Sequence, residues 1–555
     1  MKVRHTLLAC AGVFALTACV ESSGPGHLPS CGGAGSQISL AIGAYTSNDP
    51  ASDSGCVTFA ANSAADTAEY LVLPWSAGGN LGASALFALE SSTPVAAAPS
   101  FSAATYSPLP TGRPATARGP IAVAFDRYLR TLSRSRTYAL PARAAAVVAP
   151  RPSPAAPPPV GDHRTFKVCS DLTCSGFDSV RAVAKTVGAH IAIYVDTLAP
   201  SPGMSQAALD SLAAVFDARL YPLDTATFGG VSDIDNNSVV IVLMTGTVNK
   251  LVTATECNTD GYVAGFFFSA DIDPDFSTQF NNGEVFYSIV ADSAATLSCA
   301  HGPGALERTM PLTFVHEFQH MINFVQKVLI RGAQSEDTWL DEGLARYAEE
   351  NAGRSYLADG DSASFSRFAI DPIFDAYLYM RRPGSSALLF AADTGGLAPL
   401  GAGWLFVRYL VDQFGDSLPR RLVENAQSGQ ANVTGRTSQP FAVIVTRWAL
   451  ANWVSDLPGF TAAPELKYTA WHFRATFASL HSQDPSDFPL AYPLVPQVSQ
   501  GDAVQLNGRL LAGSGFYQRV KQAPGGAAFT LHFADPGGSN VPATVVPRLV
   551  VLRIR

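Results

Sequence analysis

Apolar and polar positions along this chain fall into three successive patterns. From Ile38 to about Phe101, short apolar runs such as EYLVLPWS (Glu69 to Ser76) stand between Gly, Ser, Asn and Asp clusters, which predicts short strands joined by turns. Beyond about residue 160, AHIAIYVD, SVVIVLMTG, VAGFFFSAD and EVFYSIVAD are β-branched or aromatic runs bounded by Gly, Asp and Asn, and predict four more strands. Among them SQAALDSLAAVFDARLY repeats Leu and Phe at intervals of three and four, which predicts a helix. Helical periodicity then dominates, ending in GAGWLFVRYLVDQFG, closed by Gly415. After Asp456 the Pro and Gly content rises and short alternating runs return, down to PRLVVLRIR.

The segments between these blocks set the expected boundaries. Residues 1–18, with Lys2 and Arg4 before an apolar stretch from Thr6 to Ala18, read as a signal peptide; Leu16-Thr17-Ala18-Cys19 has the form of a bacterial lipoprotein signal. Cleavage there would leave Cys19 as an acylated N-terminus, with an ordinary secretory signal as the alternative. Val20, rather than Asp, after the cysteine resembles lipoproteins sorted to an outer membrane. Residues 19–36 are Gly/Ser-rich and read as a flexible tether. A β domain is expected over 37–110. Residues 111–160 hold a short amphipathic helix, FDRYLRTLSRSR (Phe125 to Arg136), and the Ala/Pro-rich run ARAAAVVAPRPSPAAPPPVGD, expected to be a spacer. A central domain over 161–455 and a C-terminal β domain over 456–555 complete the chain. No later apolar run reaches membrane-spanning length.

A length of 555 residues suits several domains, and 47% hydrophobic residues can bury a core. The 37 basic and 45 acidic residues give a net charge of −8, with no basic block beyond pairs such as Arg420-Arg421, which argues against a nucleic-acid partner. Apart from Cys10 and Cys19, six cysteines remain: Cys31, Cys56, Cys169, Cys174, Cys257 and Cys299. An even number in an exported chain points to disulfides, and nearest-neighbour pairing is the simplest connectivity. None sits in a Cys-x-x-Cys pair, so thiolate zinc ligation is not expected. DIDNN (Asp233 to Asn237) and DIDPD (Asp271 to Asp275) resemble calcium loops in part, but the first has Met244 where an EF-hand loop needs Glu; solvated turns are the expectation for both.

The chemistry concentrates in TFVHEFQHMINF, Thr313 to Phe324. With 10 histidines in 555 residues, His-Glu-x-x-His arises by chance with an expectation below about 0.02. On a helix Phe314, Phe318, Met321, Ile322, Val325 and Leu329 form an apolar stripe, and His316, His320 and Asn323 lie on the other side. Histidines at i and i+4 can share a tetrahedral zinc, with one position left for water if the site is catalytic. Downstream, in TWLDEGLARYAEE, Thr338 and Asp341 have capping-box spacing for a second helix starting at Trp339. Leu340, Leu344, Tyr347 and Ala348 make its buried side; Glu342 and Glu349 share the opposite face. One carboxylate there can face the metal while the other orients a histidine.

His-Glu-x-x-His followed by Trp-Leu-x-Glu-Gly-x-Ala resembles the gluzincin metallopeptidases, the clan of thermolysin and the alanyl aminopeptidases. Within it HEFQHMINF, and the stretch from VGDHRTF through DIDNN to WLDEGLA, most resemble the hyicolysin family, over roughly Val160 to Leu450. The resemblance implies a zincin-like catalytic domain with a mixed sheet, the His-Glu-x-x-His helix and a helical C-lobe; with the N- and C-terminal β-sandwich-like domains read from the alternating runs, the expected fold class is α+β. It implies one Zn2+ per chain held by His316, His320 and Glu342, with Glu317 as the base; the shared helix face places Glu349 behind the ligands. The 21 residues between His320 and Glu342 exceed the usual gluzincin gap. The helix opening at Leu400-Gly401-Ala402-Gly403 lacks the Tyr or His that steadies the oxyanion in many gluzincins; Tyr356, Tyr377 and Tyr379 are substitutes among which the sequence does not choose. The expected function is hydrolysis of peptides or proteins by a zinc-dependent endopeptidase, lipid-anchored in a bacterial envelope at the outer membrane or cell surface. The Gly-x-Met-Glu-Asn signature of aminopeptidases is absent. The alternative is a zinc-binding adhesion or assembly lipoprotein without turnover.

Overall fold

The first alternating runs become β1 (Ser36–Ile38), β2 (Tyr45–Asn48), β3 (Cys56–Phe59), β4 (Ala68–Ser76) and β5 (Ser84–Ser91). They belong to a computed structural model that describes residues 28–31, 35–52, 54–92, 119–141, 156–391 and 396–555. The leader, the expected acylation site Cys19 and most of the Ala/Pro-rich run lie outside these residues. Helix α1 (Pro120–Ser135) starts five residues before the amphipathic pattern predicts, because Pro120 occupies the first helical position after Gly119. It closes on Arg136 in the left-handed conformation, whose N–H returns to the Leu132 carbonyl.

The second block builds a six-stranded mixed sheet from β6 (His163–Cys169), β7 (Phe177–Val187), β8 (Ile191–Asp196), β9 (Val240–Met244), β10 (Gly265–Phe267) and β11 (Val285–Ser288), in the order β10-β11-β9-β8-β7-β6. All four strands read in this region form. The parallel pair β8/β9 needs a crossover, supplied by α2 (Gln206–Val215), capped by Ser205, and α3 (Tyr221–Phe228). Short helices α4 (Gly246–Asn249) and α5 (Ala254–Thr259) lead to β10, an edge strand antiparallel to β11. Both acidic loops have protein partners, and the expectation of a solvated turn is corrected for the second, where Asp271 and Asp273 are fully buried. Asp233 accepts from the N–H groups of Asn237 and Ser238, Asp273 pairs with Arg136, and Asp271 accepts from Tyr287 and Asn281.

Helices follow: α6 (Pro303–Phe324), α7 (Thr338–Ala358), α8 (Ser362–Arg381), α9 (Leu397–Phe414), α10 (Leu418–Val423), α11 (Gly429–Thr437), α12 (Phe441–Val454) and α13 (Phe473–Gln483). Helix α6 is buried on every side over its last four turns, so its histidine face does not meet solvent. Its apolar stripe packs on α3 and the sheet, and its polar face meets α7. The packing of α9 against α8 and α7 explains the glycines that open it. A Cβ on Gly401 would lie 2.1 Å from the Asp375 carbonyl carbon, and one on Gly343 2.9 Å from the Gly403 oxygen. Close helix approach, rather than the loss of a reactive side chain, sets those residues.

The last block gives β12 (Gln497–Gln500), β13 (Gln505–Leu511), β14 (Gln518–Gln522), β15 (Phe529–Ala534) and β16 (Pro547–Arg553). These strands interleave with the first five, in sheets ordered β1-β3-β15-β5-β13 and β12-β14-β4-β16-β2. The expected separate sandwiches over 37–110 and 456–555 are therefore corrected to one sandwich built from both ends of the chain. Alternation identifies strands but not their partners: β4 has β14 on one side and β16 on the other, and β15 sits between β3 and β5. The same strand explains why EYLVLPWS is apolar on both faces. Tyr70 and Val72 enter the sandwich core, whereas Leu71, Leu73 and Trp75 join the core of the helical lobe, with Trp75 against Trp448 and Tyr517. The residues after Asp456 also include α13, which packs Phe477 into the helical lobe.

The nearest-neighbour disulfides all form: Cys31–Cys56, Cys169–Cys174 and Cys257–Cys299. Among the described residues, no helix is long and apolar enough to cross a membrane.

Candidate active site

One helical turn places His316 and His320 side by side on α6, and their Nε2 atoms converge to 3.2 Å. Each ring is fixed from behind. Glu349 Oε1 lies 2.7 Å from His316 Nδ1, and Asp341 Oδ2 lies 3.1 Å from His320 Nδ1. Carboxylates at both Nδ1 atoms favour the proton there and leave both Nε2 lone pairs aimed into the same space. Glu342 reaches that space from α7, with Oε2 3.7 Å from His316 Nε2 and Oε1 3.7 Å from His320 Nε2. All five side chains are buried.

Asp341 corrects the capping reading. Helix α7 starts at Thr338 behind Asp337, with no side-chain cap, and Asp341 turns to His320 and to Asn323 Nδ2. The acidic residue before Glu342 is thus a support for the second histidine that spacing alone assigned to a helix end.

These donors fit a zinc ion. Two imidazole nitrogens on one tetrahedral zinc at about 2.0–2.1 Å would stand about 3.3–3.4 Å apart, close to the Nε2 separation here. Glu342 Oε1 is a buried oxygen with no hydrogen-bond partner, as expected of an atom reserved for a cation. Burial, and then the nearby Asp126 charge, push the Glu342 carboxyl well above the usual range without such a cation. Burial and the Arg130 charge push His320 down to about 4, which keeps its imidazole neutral.

Glu317 projects from the same helix. Its Oε2 accepts from the Phe267 N–H of edge strand β10 at 3.0 Å and lies 3.9 Å from Arg130 Nη2. Burial first, and the Asp126 charge second, raise its carboxyl to about 7. A cavity of about 40 Å³ adjoins these groups, lined by His316, Glu317, Glu342, Arg346, Val263–Phe266 and residues of α1. Tyr356, Tyr377 and Tyr379 do not line it. Tyr356 stacks on Phe368, the Tyr377 hydroxyl bonds the Leu490 backbone, and Tyr379 stacks on Trp448.

The sequence reading left two participants in the expected linker. Asp126 on α1 places Oδ2 3.4 Å from His316 Nε2 and joins His316, His320 and Glu342 in one cluster of donor atoms within 4.8 Å. Burial would raise the Asp126 carboxyl, but the His316 hydrogen bond and Arg130 outweigh it and hold it below the usual range. Arg130, one turn on, lies 3.4 Å from Asp126 and donates to the Phe267 carbonyl. The available signal was an acid–base pair at i,i+4 in FDRYLRTLSRSR, where Arg127 and Arg130 are buried.

No family model matches the chain. Over 136 residues it is 32% identical to the neutral metalloprotease ShpI of Staphylococcus hyicus, a stretch covering 24% of this chain and 28% of that protein. Among solved structures, a mutant M1 zinc metallopeptidase from Deinococcus radiodurans matches 52% of this chain and 51% of its own at 11% identity, with a TM-score of 0.26. That structural likeness is too low to define the fold; the sequence likeness is local, and it is to a metalloprotease.

Proposed function

We propose that the chain is a zinc-dependent endopeptidase of the gluzincin type, nearest in motif to the hyicolysins, carried on a bacterial envelope by a lipid on Cys19. The observation that supports this most directly is the pair of Nε2 atoms 3.2 Å apart, each ring backed by a carboxylate, with the unpartnered Glu342 oxygen facing them. His316, His320 and Glu342 would hold the zinc, which when bound supplies a Lewis acid for the scissile carbonyl and an acidified water. Glu317 takes the proton of the attacking water and delivers it to the departing amine; a buried carboxyl raised toward neutrality suits both halves of that role. Glu349 and Asp341 hold the two rings in the ligating tautomer. Strand β10 offers an edge along which an extended peptide can pair.

A zinc-binding adhesion or assembly lipoprotein is the second reading, favoured by the small size of the cavity. Glu317 opposes it, since zinc binding alone does not need that residue. Digestion of a random peptide mixture separates the two. Glu317→Gln should keep about one zinc per chain while cleavage falls by roughly a hundredfold or more, and Glu342→Ala should lose zinc and cleavage together. Cleavage equal in parent and Glu317→Gln would sink the peptidase reading.

A further inference from the structure

We propose that α1 is a built-in plug, with Asp126 filling the zinc coordination position that water must hold for turnover. The inference rests on the zinc-peptidase reading and adds its regulation. Catalytic zinc sites combine three protein ligands with an open position, whereas sites closed by four protein ligands are structural. Here the donor cluster has four members, and the fourth comes from α1, far from the motif in sequence but packed into the same core.

The neighbouring contacts of α1 fall on the other parts that turnover needs. Arg130 lies 3.9 Å from Glu317 Oε2, so the base faces a guanidinium. The same Arg130 donates to the Phe267 carbonyl at 3.2 Å, and Phe125 packs edge-on against Phe266 at 5.2 Å, both along edge strand β10. One turn of helix thus sits at the metal, the base and the peptide-pairing edge. The cavity left beside it, about 40 Å³, has room for about one to three waters, whereas ligand pockets run to several hundred Å³.

The plug is fastened at its far end by Arg136 to Asp273 and Asp275, and by Arg134 to Asp337 at 2.7 Å. These ion pairs, with partly exposed arginines, add to an apolar seam of Val123, Phe125, Leu129 and Leu132 buried in the main core. Withdrawal of α1 would free the fourth position, Glu317 and β10 together.

The test uses the zinc-loaded full chain, with Asp126→Asn, which keeps the side-chain size, and Asp126→Ala. Acetohydroxamate, a small chelator that needs an open zinc position and no catalysis, is titrated into each, and cleavage of a peptide mixture is measured alongside. Both variants should bind acetohydroxamate at least about tenfold more tightly, the ratio expected if the open arrangement is populated at about a tenth or less in the parent. Cleavage should rise by a similar factor. Unchanged or weaker acetohydroxamate binding in folded, zinc-loaded Asp126→Asn overturns the plug, whatever the cleavage. Tighter binding with no cleavage by any variant upholds the plug and removes the peptidase reading. A parent chain that takes up no zinc overturns both.

Discussion

Glu349 Oε1 lies 2.7 Å from His316 Nδ1, and that contact joins two helices that the sequence separates by the loop between Phe324 and Thr338. It makes the orientation of one ring a property of α7. Glu349→Gln should therefore weaken zinc affinity by about 10–100-fold without removing a ligand, and Asp341→Asn should act in the same way through His320. Competition against a chromophoric chelator measures both; affinities equal to the parent's would show that neither carboxylate fixes its ring.

The buried Asp271 gives a pH test away from the metal. Burial pushes its carboxyl up to about 7, against the hydrogen bonds from Tyr287 and Asn281 that favour the charged form. Its unfolded value is about 3.9. A pKa raised on folding means that the folded state holds the proton more tightly, so the stabilisation is fully present below about pH 4 and is lost as pH rises through about 7. In Asp271→Asn, which cannot ionise, Tm should gain on the parent's steadily between those values. A gap that stays constant from pH 4 to 7 would refute the assignment.

Trp75 should couple the sandwich to the helical lobe. It is fully buried against Trp448 and Tyr517 although it sits on a sandwich strand. Trp75→Ala should cost about 3–5 kcal/mol in urea unfolding. A loss under about 1 kcal/mol would show that the two cores are independent.

The anchor is tested by fractionation. Cys19→Ser should leave the protein soluble after cell lysis, because the acyl chains need that thiol. A variant that still sediments with membranes would end the lipoprotein reading.

What could be read from the sequence follows the range of the interaction. His316, Glu317 and His320 sit within two turns of one helix, and Glu342 and Glu349 on one face of another, so periodicity alone brings each set together. Asp341 was legible as an acid near a helix start but not as a support for His320, because that contact depends on how two helices cross. Asp126 and Arg130 stayed hidden in an expected linker, since their i,i+4 spacing pairs them on one helix without saying what that helix docks against. The sandwich was missed for the same reason. Alternation marks a strand and its faces, while the neighbour of β4 is chosen by a segment from the far end of the chain.

Val72 pairs with Val551 on one side of β4 and with Gln518 on the other. A chain still being made therefore carries the β4 edges unsatisfied, with apolar side chains on both faces, until its last described strands arrive. Any product that stops before Pro547 leaves one of those edges bare, a surface that invites aggregation or capture by proteases. The interleaved sandwich thus cannot close before Pro547–Arg553 is made, and the core that Trp75 shares with Val550 and Leu552 of that strand waits for the same residues.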